Sequence, residues 1–260
     1  MKTEDDQQHP RVAYEDPSFL DSDDARPLRI LAEYLDPLRR FRLSRVHDTV
    51  VFFGSARITA GGSLGRYYDE ARELARSLTA WSESLPSHNR HCVVCTGGGG
   101  GIMEAANRGA AEAGGRTIGL NIVLPREQRP NAYITRGLAF EFHYFFMRKL
   151  WFAHLARALV VFPGGFGTLD ELTEILTLAQ TRKLQRRIPI LMYGTTFWRE
   201  IIDFDAMVRH GVIAREDLEL FRFVDDPATA LELLQAAITV DPITSPPAFA
   251  HSNPRKATDG

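Results

Sequence analysis

The residues with the clearest chemical potential in this sequence are a glycine-rich turn and two charged side chains near it. The turn, Pro163–Thr168, follows the apolar run Leu159–Phe162. Glu171 lies shortly after the turn, and Arg148 lies in an apolar, aromatic segment before the run. A strand, a glycine turn and a helix start would place free backbone N–H groups and a positive dipole end at one point. The turn is therefore predicted to bind an anion.

Two interpretations of these charged residues are open. Thr168 is predicted to cap a helix that carries Glu171, and Gly167 to allow a tight or left-handed turn. The same spacing fits a capping box, in which Glu171 only binds the backbone at the helix start. A guanidinium in apolar surroundings needs a carboxylate or phosphate partner, so Arg148 either fixes its helix to the sheet or shares a ligand cleft with Glu171.

Two further loops follow predicted buried strands. Gly54-Ser55 follows the strand Thr49–Phe53, and the five glycines of Gly97–Gly101 follow the strand Cys92–Thr96. In a doubly wound sheet, ligands bind in the crevice beyond the carboxyl ends of the strands. The three loops are therefore expected to meet at one edge. They suit a nucleoside monophosphate, with its phosphate on one loop and its sugar or base against another.

The glycine loop does not match the common nucleotide-binding motifs. A P-loop would need Gly-Lys-Ser/Thr, which is missing after Gly101. Met103 and Glu104 occupy the region where a dinucleotide fingerprint has its helix-packing glycine, and Val123 and Leu124 stand where its ribose-binding acid is expected. Dinucleotide binding is therefore the less favoured interpretation.

The pattern of apolar runs predicts strands alternating with helices, and hence an α/β fold with a Rossmann-like doubly wound parallel sheet and helices on both faces. We divide the chain into an N-terminal extension (1–46, disordered to about 17, then two helices separated at Pro37), the α/β domain (47–240) and a flexible tail (241–260). The predicted strands are Thr49–Phe53, Cys92–Thr96, Thr117–Val123, Ala139–Tyr144, Leu159–Phe162, Ile188–Tyr193 and Phe221–Val224. The predicted helices are Gly65–Glu83, Ile102–Ala113, Phe145–Ala156, one starting at Thr168, Phe197–Arg209 and Pro227–Ile238.

Composition indicates an ordinary globular protein. Of the 260 residues, 44% are hydrophobic and 25% charged, and the net charge of −2 gives no general attraction to nucleic acid or anionic membrane. No apolar run is long enough to span a membrane, and the N-terminus lacks the apolar core of a secretory signal, so a cytoplasmic location is expected. The basic run Arg39–Arg45 is interpreted as a solvated face or a dimer rim rather than a nucleic-acid site.

The pair Cys92 and Cys95 has the spacing of a redox motif or half a zinc site. Positions three apart on a strand face opposite sides of the sheet, and no second ligand cluster appears in the sequence. We therefore interpret both as buried core thiols and expect no metal and no cofactor.

Four segments together resemble the LOG ("Lonely Guy") family of cytokinin riboside 5′-monophosphate phosphoribohydrolases, whose members are often mislabelled as lysine decarboxylases. These segments are Thr96–Asn107, Met147–Lys149, Pro163–Glu171 and Gln180–Lys183. The resemblance spans roughly residues 47 to 240. The sequence departs from the pattern at Gly100, where relatives often have proline, and in its longer N-terminal extension.

The resemblance implies a Rossmann-like dimer with active sites near the subunit interface and no metal. It implies cleavage of the N-glycosidic bond of a nucleoside 5′-monophosphate, with Arg148 and Glu171 as catalytic residues. The residues expected to bind the substrate are Gly54, Ser55, Gly97, Gly98, Gly99, Gly100, Gly101, Met147, Lys149, Pro163, Gly164, Gly165, Gly167 and Thr168.

Loss of a base from ribose passes through an oxocarbenium-like state, which a carboxylate can stabilise. AMP and N6-substituted AMP are the first candidate substrates. The alternative is a non-catalytic carrier of a nucleotide or of molybdenum cofactor on the same fold. A decarboxylase is not supported, because pyridoxal chemistry needs a Schiff-base lysine and a pyridine-nitrogen partner, and Lys149 has neither identifiable context.

Overall fold

The computed structural model describes residues 11–86, 92–124, 129–184, 186 and 188–240. A 3-10 turn at Ala13–Glu15 precedes the first helix, and another, Arg215–Leu220, precedes the last strand. The other elements in chain order are α1 (Pro17–Leu20), α2 (Arg26–Leu43), β1 (Asp48–Phe53), α3 (Gly65–Ser84), β2 (Cys92–Thr96), α4 (Ile102–Glu112), β3 (Thr117–Ile122), β4 (Ala139–Phe142), α5 (Phe145–Leu155), β5 (Ala156–Val161), α6 (Phe166–Gln180), β6 (Ile190–Tyr193), α7 (Thr195–Ile201), α8 (Phe204–Arg209), β7 (Arg222–Val224) and α9 (Pro227–Val240). The tail predicted at 241–260 and residues 1–10 lie outside the described residues.

The strands form one parallel sheet in the order β4-β3-β2-β1-β5-β6-β7. This confirms the predicted doubly wound α/β fold. From β1 the chain first builds one half of the sheet through β4, and then crosses to the other side of β1 to continue with β5. The strand order therefore reverses between β1 and β5, and the crevice beyond their carboxyl ends is where such sheets bind ligands.

The central strands β1, β2 and β5 are buried along their whole length, because helices cover both faces of the sheet. One core packs the sheet against α3, α4 and α9, and the other packs it against α2, α5, α6 and α7. Alternate strand residues enter opposite cores, as period-two geometry requires. Cys92 and Cys95 accordingly lie in different cores, and burial raises the pKa of both thiols, that of Cys92 to about 12.

Helix α2 corrects the prediction that Pro37 separates two helices. Arg26–Leu43 is one helix with Pro37 inside it. A proline cannot donate to the carbonyl four residues earlier, here that of Glu33. The indole Nε1 of Trp151 donates to this carbonyl at 3.1 Å, so the lost helical bond is replaced by one from α5. The Glu33 carboxylate also accepts the N–H groups of His143 and Tyr144, and α2 is thereby tied to the start of α5.

Two further predicted segments, and the interpretation of the basic run, also differ from the structure. The helix predicted at Phe197–Arg209 is two helices, because the carboxylate of Asp203 caps α8 by accepting from the N–H of Ala206 at 2.7 Å. The 3-10 turn at Ala13–Glu15 lies inside the segment predicted to be disordered. Within the basic run, Arg40 donates to the carbonyls of Gly137 and Ala139, so this arginine holds α2 on the domain.

In the described ranges, no helix combines the length and the apolar character that crossing a bilayer requires.

Candidate active site

The three loops predicted to converge do open onto one cavity of about 830 Å³ at the switch between β1 and β5. This volume is within the usual range of small-molecule sites. The lining combines bare backbone, aliphatic and aromatic side chains, two arginines and one acid. It consists of Phe53, Gly54, Ser55, Ala56, Arg57, Gly97, Met103, Arg148, Phe152, Gly164, Gly165, Phe166, Gly167, Thr168, Leu169, Glu171 and Ile201.

Backbone hydrogen bonds hold the three loops against one another. The N–H of Ser55 donates to the Pro163 carbonyl at 3.0 Å, and the carbonyl of Ser55 accepts from the N–H of Ile102 at 3.1 Å. Gly54 is required for this approach, because a Cβ there would lie 2.7 Å from the Ile102 side chain. The cavity floor is therefore fixed by the turns themselves.

The five-glycine loop packs closely but contributes little surface to the cavity. Only Gly97 of the five lines it, while Gly98, Gly99, Gly100 and Gly101 do not. Gly101 has φ +65°, and a Cβ there would lie 2.3 Å from the Ser55 carbonyl oxygen. Gly100 has no such restriction, since the nearest neighbour of a Cβ there would be 3.7 Å away.

The turn after β5 differs from its prediction. Helix α6 begins at Phe166 with Gly165 as its N-cap and no side-chain cap, so Thr168 is already inside the helix and the capping box is not formed. Gly167 is likewise a helical residue and is not among the glycines with positive φ. Gly164 lets the turn close, because a Cβ there would lie 2.1 Å from the Thr168 hydroxyl, whereas Gly165 and Gly167 face open space.

Arg148 and Glu171 form a buried ion pair at the wall of the cavity. The Arg148 Nη2 lies 3.0 Å from Glu171 Oε1, and the two side chains are 13% and 6% exposed. The guanidinium also lies over the rings of Phe145 and Phe152, at 5.1 and 5.7 Å. The Arg148 Nε is itself buried and has no hydrogen-bond partner among the described residues.

Burial dominates the electrostatics of this pair. It raises the pKa of the Glu171 carboxyl to about 7, because the charges of Arg148 and Lys149 offset only part of the lost hydration. Burial also lowers the pKa of Arg148, against the opposing influence of Glu171. A carboxyl group that titrates near neutrality can exchange a proton at physiological pH, which is the property expected of a general base.

Besides the last four glycines of the five-glycine loop, three other predicted substrate-binding residues lie outside the lining. Met147 is 5% exposed and packs in the core. The Lys149 ammonium lies 2.8 Å from Asp170 and 3.0 Å from Glu174, so it ties α5 to α6 beside the catalytic candidates. Pro163 contributes its carbonyl to Ser55 and lines a smaller adjoining cavity of about 280 Å³.

Several lining residues were missed in the sequence. Met103, Phe152 and Ile201 carry no chemical signature and look like ordinary core residues. Phe166 is 92% exposed, and its place in the glycine turn was the available signal. Arg57 follows Ser55 closely after β1, and its position just beyond a predicted ligand loop was the signal for it.

Comparison with known proteins identifies the family. The family model described as "Possible lysine decarboxylase" matches residues 103–234. The cytokinin riboside 5′-monophosphate phosphoribohydrolase LOG of Oryza sativa subsp. japonica is 30% identical over 196 residues, which cover 74% of this chain and 73% of the relative. The chain belongs to the LOG family.

Two further matches agree with this assignment. The LOG family member of Arabidopsis thaliana named cytokinin riboside 5′-monophosphate phosphoribohydrolase LOG5 is 27% identical over 202 residues, covering 77% of this chain and 81% of the relative. The X-ray structure of TM1055 superposes with a TM-score of 0.53 at 22% identity, covering 73% of this chain and 99% of that one. The latter match supports the fold.

The wording of the family description does not fit the site. Burial lowers the pKa of Lys149, but hydrogen bonds to Asp170 and Glu174 outweigh this effect and raise the pKa overall. An ammonium held between two carboxylates is a poor nucleophile for a Schiff base, which requires the neutral amine. Lys149 is therefore better explained as a structural ion pair than as a decarboxylase lysine.

Proposed function

We propose that this protein hydrolyses the N-glycosidic bond of a nucleoside 5′-monophosphate, releasing the free base and ribose 5-phosphate. AMP and N6-substituted AMP are the first candidate substrates. The observation that carries the proposal is the buried Arg148–Glu171 pair, which lines the same cavity as the uncovered glycine backbone at the start of α6. The names of the LOG relatives support the reaction class.

The start of α6 is the proposed phosphate site. The first intrahelical bond runs from the N–H of Leu169 to the carbonyl of Gly165, which leaves the preceding N–H groups, from Phe166 to Thr168, without helical partners. Gly165 and Gly167 present no side chains to the cavity. A phosphate can therefore approach these N–H groups at the positive end of the helix dipole.

Glu171 is the proposed catalytic carboxylate. Departure of the base leaves positive charge at the anomeric carbon of the ribose. In the ionised form Glu171 stabilises that charge and orients or deprotonates the attacking water. Its pKa of about 7 leaves a substantial fraction ionised at neutral pH while keeping the carboxylate basic enough to accept a proton.

Arg148 is the proposed partner of the leaving base. Its Nη2 fixes Glu171, and the residue lines the cavity. A hydrogen-bond donor directed at the base stabilises the negative charge that the base gains as the N-glycosidic bond breaks. Because Phe145 and Phe152 flank the guanidinium, its position is set before the substrate arrives.

The proposed contacts to the phosphate predict that a nucleotide is a better substrate than a nucleoside. Binding energy from a group remote from the reacting bond positions the anomeric carbon against Glu171. Adenosine, which lacks the phosphate, is therefore expected to be a poor substrate.

Chromatography of purified protein incubated with AMP, N6-substituted AMP and adenosine tests this function. We expect release of base from the nucleotides and far slower release from adenosine. If calorimetry shows that AMP binds but is recovered intact after long incubation, the protein is a carrier and the hydrolase proposal is wrong.

We also propose a homodimer with its active sites near the subunit interface. Phe166 and Ile201 line the cavity while 92% and 50% exposed, and Phe145, next to Arg148, is 49% exposed. Apolar surface at the rim of a polar site is suited to burial by a second subunit. Sedimentation analysis tests this assembly, and a monomer at assay concentration would contradict it. The cytoplasmic location stays a prediction from the sequence.

A further inference from the structure

The formal charges lining the main cavity leave one cation uncompensated. Its charged residues are Arg57, Arg148 and Glu171. The last two neutralise each other at 3.0 Å. Across the ranges that the structure describes, no carboxylate lies within 4.0 Å of the Arg57 guanidinium, which is exposed. Arg57 is therefore the guanidinium of this cavity that is free to meet an anion.

The backbone that carries Arg57 is fixed, although its side chain is exposed. The N–H of Arg57 donates to the Ser55 hydroxyl at 3.1 Å. Ser55 is in turn bonded to Pro163 and Ile102 on the two neighbouring loops. Gly101 packs against the Ser55 carbonyl and Ala56 so tightly that a Cβ would lie 2.3 to 2.8 Å from them. The Arg57 side chain thus extends from a backbone segment whose position is fixed.

Arg57 also lies where two cavities adjoin. Arg57, Ser55 and Gly164 line both the main cavity and the smaller one of about 280 Å³. Gly164 belongs to the turn that leads into α6. An anion at the start of α6 would therefore have the α6 backbone on one side and the Ser55–Arg57 turn on the other.

The charge of the proposed substrate favours such a group. A phosphate monoester carries about −1.5 to −2 at neutral pH. A helix N-terminus supplies the equivalent of only about half a positive charge. A guanidinium adds a full charge and two parallel N–H donors that match a phosphate edge.

We propose that Arg57 is the counter-ion of the 5′-phosphate and thereby the residue that makes this site select nucleotides over nucleosides. The inference rests on the proposed function for the identity of the substrate, and it concerns binding rather than bond cleavage. Loss of Arg57 weakens binding of the phosphate, for which the start of α6 remains, and leaves the contacts to ribose and base in place.

Calorimetry in a Glu171→Gln background, where AMP cleavage is expected to be much slower, measures this role directly. Arg57→Ala is expected to weaken AMP binding about 10- to 100-fold, with little change for adenosine. Arg57→Lys, which keeps the charge but loses the planar fork, should bind AMP more tightly than Arg57→Ala. The matched control is Arg222→Ala, which removes another exposed arginine, on the edge strand β7, and should leave both affinities unchanged.

Unchanged AMP binding by Arg57→Ala would overturn the proposal, as would an equal loss for AMP and adenosine. If Arg57→Ala does not melt cooperatively, the comparison of Arg57→Lys with the parent carries the test, and a loss confined to AMP is the expected result. If the wild type binds AMP without cleaving it, the hydrolase proposal fails, while the role of Arg57 is still decided by these affinities.

Discussion

At the scale of single residues, the Arg148–Glu171 pair combines two opposing effects. Attraction between the ions lowers the pKa of a carboxyl, and burial raises it. Here burial prevails, and the pKa of Glu171 reaches about 7. An arginine partner alone would have kept Glu171 ionised throughout the physiological range and made it a weaker base.

The pH dependence of kcat/KM should report this carboxyl. In the proposed mechanism the ionised form is the active one, so kcat/KM for AMP is expected to rise from pH 5 to 8 with a midpoint near 7. Lys149 lowers the pKa of Glu171 by its charge, so Lys149→Met should move the midpoint upward. The phosphate of AMP also titrates in this range, but its pKa cannot change with the variant. Identical midpoints for both proteins would contradict the assignment to Glu171.

The raised pKa of Glu171 should also make the free energy of unfolding depend on pH. The folded-state pKa of Glu171 is raised above its ordinary 4.5, so the folded protein binds this proton more tightly than the unfolded chain does. The associated stability is fully present below about pH 4.5 and is lost as the pH rises through about 7. Relative to Glu171→Gln, the wild type should therefore become less stable over this window in urea unfolding. Parallel pH profiles for the two proteins would show that the pKa is not raised.

At the scale of elements, the glycine loop after β2 is defined by contacts rather than by composition. Gly100 and Gly101 are adjacent, yet of the two only Gly101 has a positive φ. A Cβ on Gly101 would also lie 2.3 Å from the Ser55 carbonyl oxygen. Gly101→Ala is therefore expected to lower stability by roughly 1–3 kcal/mol and to impair AMP cleavage. Gly100→Ala is the matched control and should change the free energy of unfolding by less than about 0.5 kcal/mol. Equal effects in thermal unfolding would contradict this account of the loop.

Helix α2 provides a second test at this scale. The Trp151 indole replaces the helical bond that Pro37 cannot make to Glu33. Trp151→Phe keeps an aromatic ring but leaves that carbonyl without its donor, so it should destabilise the protein by about 1–3 kcal/mol. In Pro37→Ala the helical N–H can take over, and a Trp151→Phe/Pro37→Ala double variant should recover part of the loss. Strict additivity of the two changes in urea unfolding would contradict the proposed replacement.

The sequence was sufficient where a local pattern determines the element. The buried runs of β1, β2 and β5 predicted a parallel sheet, and parallel strands necessarily bring Gly54, Gly97 and Gly164 to one edge. It was insufficient where a distant group decides. Pro37 continues a helix because Trp151, far along the chain, supplies the missing donor. Glu171 binds Arg148 rather than the helix start, because Gly165 begins α6 earlier than Thr168 would.

Other differences had a signal that was overlooked. Asp203 is a typical N-cap residue and marks the start of α8 within what reads as one helix. Arg57 gave no pattern beyond its place after Ser55, and only the structure shows that it lines both cavities without a carboxylate partner. The role proposed for Arg57 depends on its position between the two cavities and, in the part of the chain that the structure describes, on the lack of a neighbouring carboxylate, which the sequence alone does not indicate.

At the scale of the whole molecule, the proposed phosphate site and the proposed catalytic pair come from different parts of the fold. The strand order reverses between β1 and β5, and the turns after these strands carry the backbone donors and Arg57 that we propose bind the phosphate. Helices α5 and α6, on the other face of the sheet from α3 and α4, carry Arg148 and Glu171 to the same cavity. Lys149, bound to Asp170 and Glu174, fixes these two helices to each other.

The rate of AMP cleavage by Glu171→Gln, measured at saturating AMP, tests the central claim most directly. The substitution preserves size and hydrogen bonding but removes the ionisable carboxyl, so the base-release rate should fall about 10²- to 10⁴-fold with AMP affinity nearly unchanged. Glu174→Gln, on the same helix but outside the main cavity, is the control and should keep most of the activity. A Glu171→Gln protein that releases adenine at the wild-type rate would contradict the account.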